Sequence, residues 1–261
     1  MKKIAVFATA AVVVGLTGCS GSGEPEANVG PVKATKPADP SAAARTALDR
    51  ASSTALTSGS AELASTSVHG GRTLSDPAQA VVWEGHGPAE QSGTIDGTAS
   101  FGKGIHVIDS DGRLPYRRVE EILYYQVDKP IPGHPGKTWF KEDQEKSPHN
   151  SAGSFDIRDT LRELTELKDV SVVRKETVAG KATTHYRGHL DHIPGPAGDP
   201  ALAQVTKRIV DVWIGDAGTP VKILQTVGPD SETMLFKAFG NVAPILVPPA
   251  AETVSTKEYR G

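Results

Sequence analysis

Residues 170–190 read VSVVRKETVAGKATTHYRGHL, two runs of alternating side chains separated by Ala179-Gly180. Alternation with a period of two predicts β-strands, and a short break containing glycine between two such runs predicts a β-hairpin. Within the second run, Tyr186 and His185 fall on opposite faces of the strand. We expect the face with Tyr186 to be buried and the face with His185 to be exposed to solvent.

The same signals recur along most of the chain, and a second hairpin turn is predicted at Gly215-Asp216-Ala217-Gly218. The predicted strands cover residues 61–69, 80–85, 93–102, 104–109, 119–128, 170–178, 181–190, 207–215, 221–228 and 232–239. Short strands at near-regular spacing favour an antiparallel meander.

Three segments have helical rather than alternating spacing. A helix is predicted from Asp39-Pro40 to Gly59, because proline is favoured in the first helical turn and apolar residues then recur every three or four positions. A second helix is predicted after Asp156, with Leu161 on its apolar face, and a short third helix after Asp199-Pro200. The apolar helix faces are interpreted as core or, alternatively, as the wall of a cavity.

The amino terminus has the pattern of an export signal. Lys2 and Lys3 precede an apolar run at residues 4–16, which is shorter than the about 20 residues that a membrane-spanning helix needs. The run ends in Leu16-Thr17-Gly18-Cys19, which contains the only cysteine of the chain. This motif resembles the lipobox of bacterial lipoproteins. The resemblance implies that residues 1–18 are a signal peptide and that Cys19 carries a diacylglyceryl group.

The predicted domain organisation of the chain follows from this export and lipidation signal. Residues 19–40 have almost no large apolar side chains and are predicted to be a lipidated, disordered tether, and residues 41–261 are predicted to form a single domain. Loss of Lys2 and Lys3 makes the charge two units more negative than the −3 of the whole chain, which argues against nucleic acid as a partner. We therefore expect attachment to the extracytoplasmic face of the cell membrane through acyl chains, with about 0.8 kcal/mol from each buried CH₂.

Two predicted strands carry large apolar side chains on both faces. At residues 119–128, Tyr125 and Tyr124 lie on opposite faces, and residues 209–214 have a similar pattern. One explanation is a strand covered by helices on one side and by a loop on the other. The alternative is a sheet curved around an apolar cavity, with helices closing one side.

Three segments carry a family resemblance: WFK at 139–141, ETVAGKATTHY at 176–186, and VDVWI at 210–214 with GTPV at 218–221. They are similar to actinobacterial lipoproteins of the lipoprotein-carrier (LolA/LppX/LprG-like) class, across roughly residues 41–250. The resemblance implies an α+β fold in which a curved antiparallel sheet forms an incomplete β-barrel closed by two or three helices. It also implies binding, and transfer or sensing, of a lipid or acyl chain in an apolar cavity.

The apolar pattern marks the following candidates for lining that cavity: Trp83, Ile95, Phe101, Val107, Ile122, Tyr124, Leu164, Val212, Leu224 and Phe236. Aromatic residues make up only 5% of the chain, so a narrow or filled interior would keep the fold and exclude a cargo. The alternative function is an envelope sensor or protein-interaction module without bound lipid, a class that includes anti-sigma regulatory proteins of the RseB type. It would contact an envelope protein through a loop such as the polar one at residues 130–154. This loop is interpreted either as a lid over the open side of the half-barrel or as a plain surface excursion.

Signatures of enzymes do not occur in the sequence. It lacks a nucleophile elbow, a Ser-x-x-Lys pair of the penicillin-binding kind, a Walker loop and a dinucleotide fingerprint, so we expect no catalytic residues and no cofactor. Histidines at 185, 189 and 192 are the best metal candidates, but His185 and His189 would stand about 13 Å apart on one strand face. Only His189 and His192 could converge. We expect solvated histidines and no metal site.

Overall fold

A computed structural model of the chain describes residues 40–83, 90–96, 99–101, 105–107, 113–119, 122–143, 157–191 and 207–260. Several predictions fall outside these residues: the signal peptide, Cys19, the tether up to residue 39, the helix after Asp199-Pro200, His192, and the loop from residue 144 to 154. Residues Ala38–Gly261 form one compact unit.

Three α-helices and fourteen β-strands make up the described part of the chain. The helices are α1 (Pro40–Thr57), α2 (Ile157–Glu163) and α3 (Thr256–Arg260). The strands are β1 (Ser60–His69), β2 (Arg72–Val82), β3 (Glu90–Asp96), β4 (Ala99–Phe101), β5 (Ile105–Val107), β6 (Arg113–Val119), β7 (Ile122–Gln126), β8 (Trp139–Asp143), β9 (Lys168–Val178), β10 (Lys181–Asp191), β11 (Lys207–Gly215), β12 (Pro220–Val227), β13 (Asp230–Phe239) and β14 (Thr253–Ser255).

Twelve of these strands form one sheet in the order β14-β8-β7-β6-β3-β2-β1-β13-β12-β11-β10-β9, and β4 and β5 form a separate hairpin. Neighbouring strands are antiparallel except for β14 and β8, which are parallel. The sheet is curved and does not close on itself. The prediction of an α+β fold with an incomplete antiparallel barrel is therefore confirmed.

The β9–β10 hairpin forms as the sequence predicts. Ala179 and Gly180 have φ angles of 49° and 76°, so both turn residues are left-handed. Two left-handed residues give the turn twist that matches the right-handed twist of paired strands. The register then places Lys181 opposite Val178 and continues to the other end of the hairpin.

The strand order departs from a simple meander at β1. This strand pairs with β2 on one side and with β13 on the other, so the chain begins its sheet in the middle. Strands β2, β3 and β6 to β8 extend one half, and β9 to β13 return from the far edge to β1. The predicted meander is therefore correct within each half of the sheet, and the pairing of β1 with β13 joins the two halves.

Several predicted boundaries are wrong. The chain forms β6 where no strand was predicted, and the strand predicted at 119–128 begins only at Ile122. The segment predicted at 93–102 is divided between β3 and β4. Strand β2 begins at Arg72 instead of residue 80, with a register irregularity between Ser75 and Ala80. Pro77 lies in that irregular stretch, and proline is tolerated in strands mainly at such places.

One face of the sheet, which we call the inner face, packs against α1 and α2. Helix α1 presents a stripe of small and apolar side chains to it: Ala44, Leu48, Ala51 and Ala55. Alanines allow the helix backbone to approach closely, and Arg45 fixes the helix by donating to the carbonyl oxygens of Thr165 and Leu167. None of the helices within the described ranges is long and apolar enough to cross a membrane.

Candidate functional site

The half of the inner face beneath the helices is a large apolar cluster, the first inner cluster. Strands β1, β2 and β9–β13 contribute to it together with α1 and α2. Val212, Ile223 and Met234 stand side by side on neighbouring strands, and each is almost fully buried. Trp83 joins the cluster at the end of β2 and donates its indole N–H to the carbonyl oxygen of Leu56 in α1 at 2.9 Å.

A second apolar cluster lies on the same inner face in the other half of the sheet. The register carries the inner face from Val81 in β2 through Arg118 in β6 to Leu123 in β7, which packs against this cluster. The members of this second inner cluster are Leu114, Tyr116, Tyr125, Ile131, Phe140 and Val254. The inner face is therefore apolar at both ends of the sheet.

Aromatic side chains form the centre of the second inner cluster. Tyr116, Tyr125 and Phe140 stand opposite one another on β6, β7 and β8, and Val254 of β14 continues the row. Tyr259 of α3 packs edge-on against Phe140, with ring centroids 5.3 Å apart. The carboxyl-terminal strand and helix thus complete this end of the inner face.

Polar groups are placed within this aromatic row. Gln79 donates from Nε2 to the hydroxyl oxygen of Tyr116 at 2.6 Å. Asp76 lies over Gly93, where a Cβ atom would come within 2.1 Å of Asp76 Oδ2, so glycine provides the room for this carboxylate. Burial raises the pKa of Tyr116 well above its ordinary value, and the charge of Asp76 adds to this. Burial likewise raises the pKa of Tyr125. Both phenols are therefore neutral hydrogen-bonding groups at physiological pH.

A second set of polar side chains lies under α2, beside the first inner cluster. Arg208 of β11 is 8% exposed and donates from Nη1 to Gln225 Oε1 at 2.9 Å. Its Nη2 lies 2.6 Å from Glu163 Oε1. Gln225 in turn donates from Nε2 to the Thr160 hydroxyl oxygen at 3.3 Å. Glu232 stands opposite Gln225 on β13, and burial raises its pKa from 4.5 to about 8. We call these five residues the Arg208 cluster.

The opposite, outer face is also apolar along β6–β8, and a different part of the chain covers it. Val119, Tyr124 and Trp139 form a cluster there with Ile245, which belongs to the extended segment after β13. Arg117 donates from Nη1 to the carbonyl oxygen of Leu246 at 2.8 Å. This segment explains why β7 is apolar on both faces.

The outer face of β9–β12 carries a buried ionic network around His185. Its Nε2 lies 2.6 Å from Asp211 Oδ1, and its ring stacks on Trp213 with centroids 4.1 Å apart. Arg187 donates to both carboxylate oxygens of Asp211. The indole N–H of Trp213 donates to Glu176 Oε1 at 2.7 Å, which is the largest cause of the lowered pKa of Glu176.

The prediction that the histidines are solvated is wrong for His185 and His189, and His192 lies outside the described residues. His185 is 4% exposed and His189 is also buried, because residues on the neighbouring strands cover and pair with them. Within the described ranges, no group of three or more His, Cys, Asp or Glu side chains is arranged to hold a metal ion.

Comparisons with known proteins support a common architecture. No protein-family model matches the chain. SCO4650, a Streptomyces coelicolor protein whose name describes it as a lipoprotein, is 26% identical, and the match covers 98% of this chain and 94% of SCO4650. The crystal structure of LprF from Mycobacterium bovis matches with a TM-score of 0.54 at 14% identity, covering 80% of this chain and 98% of LprF. The chain has the LprF fold.

A further solved structure, the Mycobacterium tuberculosis lipoprotein LppX, matches at a TM-score of 0.47 and 12% identity, covering 78% of this chain and 98% of LppX. The resemblance that the three sequence segments predicted is confirmed at the level of the fold by the match to LprF.

Within this LprF fold, the predicted lining residues fall in different places. On the inner face, in the first inner cluster, lie Trp83, Leu164, Val212 and Phe236. Ile95 pairs in register with Leu114, a member of the second inner cluster. For these five residues, a role in binding stays a prediction.

The other candidates lie away from the two inner clusters. Ile122 and Tyr124 belong to the outer cluster with Trp139, and Leu224 stands opposite Asp211 on the outer face. Phe101 and Val107 lie in the separate β4–β5 hairpin. In each case apolar character alone did not reveal the face, because the outer side is also covered or the strand leaves the main sheet.

Sequence reasoning also missed functional candidates. Tyr116, Tyr125 and Phe140 lie on the inner face. They could have been identified by starting from a residue known to be in the core and following the alternation of side chains along each strand. The loop predicted at 130–154 belongs partly to the fold, since Ile131 is buried in the second inner cluster and Trp139 begins β8. At least its first part is therefore not a lid.

Proposed function

We propose that this chain is an envelope lipoprotein that binds a lipid or acyl chain on the inner face of its sheet. The observation that carries the proposal is the pair of apolar clusters on one face of a sheet that does not close. An acyl chain lying along this face would contact both. Covering apolar surface stabilises such a complex by about 25 cal/mol per Å².

The two inner clusters offer different contacts. The first is aliphatic around Val212 and Ile223, which suits a saturated chain. The second is aromatic, and its phenols Tyr116 and Tyr125 are neutral and rigid. Aromatic side chains with a polar tip are favoured where an apolar ligand carries a polar end. A lipid with both parts would match the inner face along its length.

Two adjacent tyrosines provide a matched test of this proposal. Tyr125 lies on the inner face and Tyr124 on the outer face, with exposures of 5% and 4%. Native mass spectrometry of the full chain would measure co-purifying lipid and added dipalmitoylglycerol. We expect lipid bound to the wild-type chain, less lipid bound to Tyr125→Ala, and unchanged binding to Tyr124→Ala. A chain that binds no lipid, or an equal loss in both variants, would contradict the proposal.

The membrane attachment is proposed to depend on Cys19. The sequence Leu16-Thr17-Gly18-Cys19 supports it, as does the name of the Streptomyces coelicolor relative, which matches almost the whole chain. Two acyl chains give stable anchoring, whereas one gives marginal binding. The Cys19→Ser variant is expected to leave the membrane fraction and to partition into the aqueous phase of a detergent extraction. Unchanged membrane attachment would refute the anchor.

A further inference from the structure

The Arg208 cluster contains buried hydrogen-bonding atoms that have no partner among the described residues. Arg208 has three nitrogen atoms, and two of them face Gln225 and Glu163. Its Nε is buried and has no hydrogen-bond partner among the described residues. Arginine is almost never fully buried without partners for its fork of donors. A buried donor of this kind is typical of a site that another group completes.

Gln225 does not supply the missing partner. Its Oε1 accepts from Arg208, and its Nε2 donates to Thr160, so both ends of the amide are engaged. These bonds join β11, β12 and α2. They hold Arg208 in one position, which is what a preorganised binding site needs.

Glu232 is the second group with an unused atom. It stands between Ser67 of β1 and Gln225 of β12 in the register, and its Oε2 is buried without a hydrogen-bond partner in the described ranges. Burial favours the neutral carboxyl over the carboxylate, against the opposing effect of the Arg208 charge. The neutral group can donate a hydrogen bond from its O–H. Arg208 and Glu232 thus offer two donors on the same inner face.

Two donors on one face, one of them belonging to a charged group, match an acceptor that carries negative charge. Guanidinium groups bind carboxylates and phosphates through short, charge-assisted hydrogen bonds. An apolar wall adjoins the cluster, since Val210 is two residues along β11 and Leu161 belongs to the same helix as Thr160. The surroundings therefore fit an oxyanion that continues into an acyl chain.

We propose that the Arg208 cluster binds the oxyanion of an acidic lipid, a carboxylate or a phosphate, whose acyl chain lies in the first inner cluster. This proposal rests on the proposed function and specifies the chemical class of its ligand. Arg208 provides the charge and the Nε donor, and Glu232 provides a neutral donor. Gln225, Thr160 and Glu163 position the guanidinium.

The test compares acidic lipids with neutral lipids that have the same chains. Native mass spectrometry of the full chain at pH 7 would measure the binding of palmitate against methyl palmitate, and of dipalmitoyl phosphatidic acid against dipalmitoylglycerol. We expect at least one acidic lipid to bind about tenfold or more tightly than its neutral counterpart, since hydrogen bonds to charged groups are the stronger kind. The two pairs distinguish a carboxylate from a phosphate as the preferred oxyanion.

Variants then assign the preference to the cluster. Arg208→Gln is expected to lose the preference for the acidic lipid by about tenfold or more and to keep its affinity for the neutral one. Arg208→Lys keeps the positive charge but lacks the Nε donor, so it should lose part of the preference for the acidic lipid. Lys207→Gln is the matched control, because the adjacent Lys207 is exposed and points to the other face of β11. It should retain the wild-type preference.

The outcomes separate this proposal from the proposed function. Binding of acidic and neutral lipids with equal affinity by the wild-type chain would overturn the oxyanion site and leave lipid binding intact. Binding of neither would overturn both. An equal loss of acidic and neutral lipid in Arg208→Gln would mean that Arg208 is structural only, and would also overturn the site. Inorganic phosphate bound as tightly as phosphatidic acid would refute the role of the acyl chain.

Discussion

Replacing Glu232 with glutamine should change how the stability of the fold depends on pH. Burial raises the pKa of Glu232 from 4.5 to about 8 in the folded chain, whereas the unfolded chain ionises near 4.5. Between these values the folded state holds a proton that the unfolded state has released. The free energy of unfolding of the wild-type chain therefore falls as pH rises from 4.5 to 8, and this contribution is constant above 8. Glutamine cannot ionise, so Glu232→Gln should lack this decline.

The magnitude follows from the two pKa values. Each pKa unit corresponds to about 1.36 kcal/mol, so the full difference amounts to roughly 5 kcal/mol. Part of the Glu232 side chain is accessible to solvent although its Oε2 is buried, and water screening reduces the effect. We expect the wild-type chain to lose about 1–3 kcal/mol relative to Glu232→Gln between pH 5 and pH 8.

Urea unfolding followed by circular dichroism at pH 5, 6.5, 8 and 9 would measure this difference. Glu62→Gln is a matched control, because Glu62 lies on the neighbouring strand β1 and is exposed. Its stability should follow that of the wild-type chain across the series. If wild type and Glu232→Gln give parallel curves from pH 5 to pH 8, Glu232 is not held neutral by burial.

Three further substitutions test the packing of the two faces. Gly93→Ala places a Cβ within 2.1 Å of Asp76 Oδ2 and should lower the unfolding free energy by about 1–3 kcal/mol in urea unfolding; an unchanged value would mean that Asp76 moves freely. Leu161→Ala removes a fully buried side chain from the first inner cluster and should cost about 2–5 kcal/mol in the same assay, and a loss below about 1 kcal/mol would contradict its place in the core. Trp213→Phe keeps an aromatic side chain but removes the indole N–H that donates to Glu176, so the pKa of Glu176 should rise toward its ordinary value in an NMR titration, and an unchanged pKa would refute that contact.

Local signals in the sequence were sufficient for the elements that local chemistry determines. The β9–β10 hairpin depends on its turn at Ala179-Gly180, and α1 depends on its apolar spacing and on Pro40; both form where predicted. Strand β6 was missed because Pro115 and the charged Arg117 obscure its alternation. Its partners β3 and β7 nevertheless provide hydrogen bonds on both sides.

Pairings between distant segments could not be predicted in this way. The contact between β1 and β13 joins residues far apart in sequence, and no local pattern specifies it. The same limit explains the error on His185. Its strand alternates as an amphipathic strand should, but its burial depends on Asp211 and Trp213, which the register of β11 places beside it.

Strand β7 shows why the candidate site was only partly predictable. Large side chains at Tyr124 and Tyr125 indicate that both faces of the strand are covered. Because the two faces are equally hydrophobic, the sequence does not show which of them is the inner face. The register from Val81 decides that Tyr125 is on the inner face. The segment containing Ile245 covers Tyr124 on the other face, as the first of the two explanations requires, so the outer face needs no ligand to account for its apolar residues. The cavity hypothesis therefore applies to the inner face alone. If it is correct, the binding of a lipid to this chain must change when Tyr125 is replaced and must not change when Tyr124 is replaced.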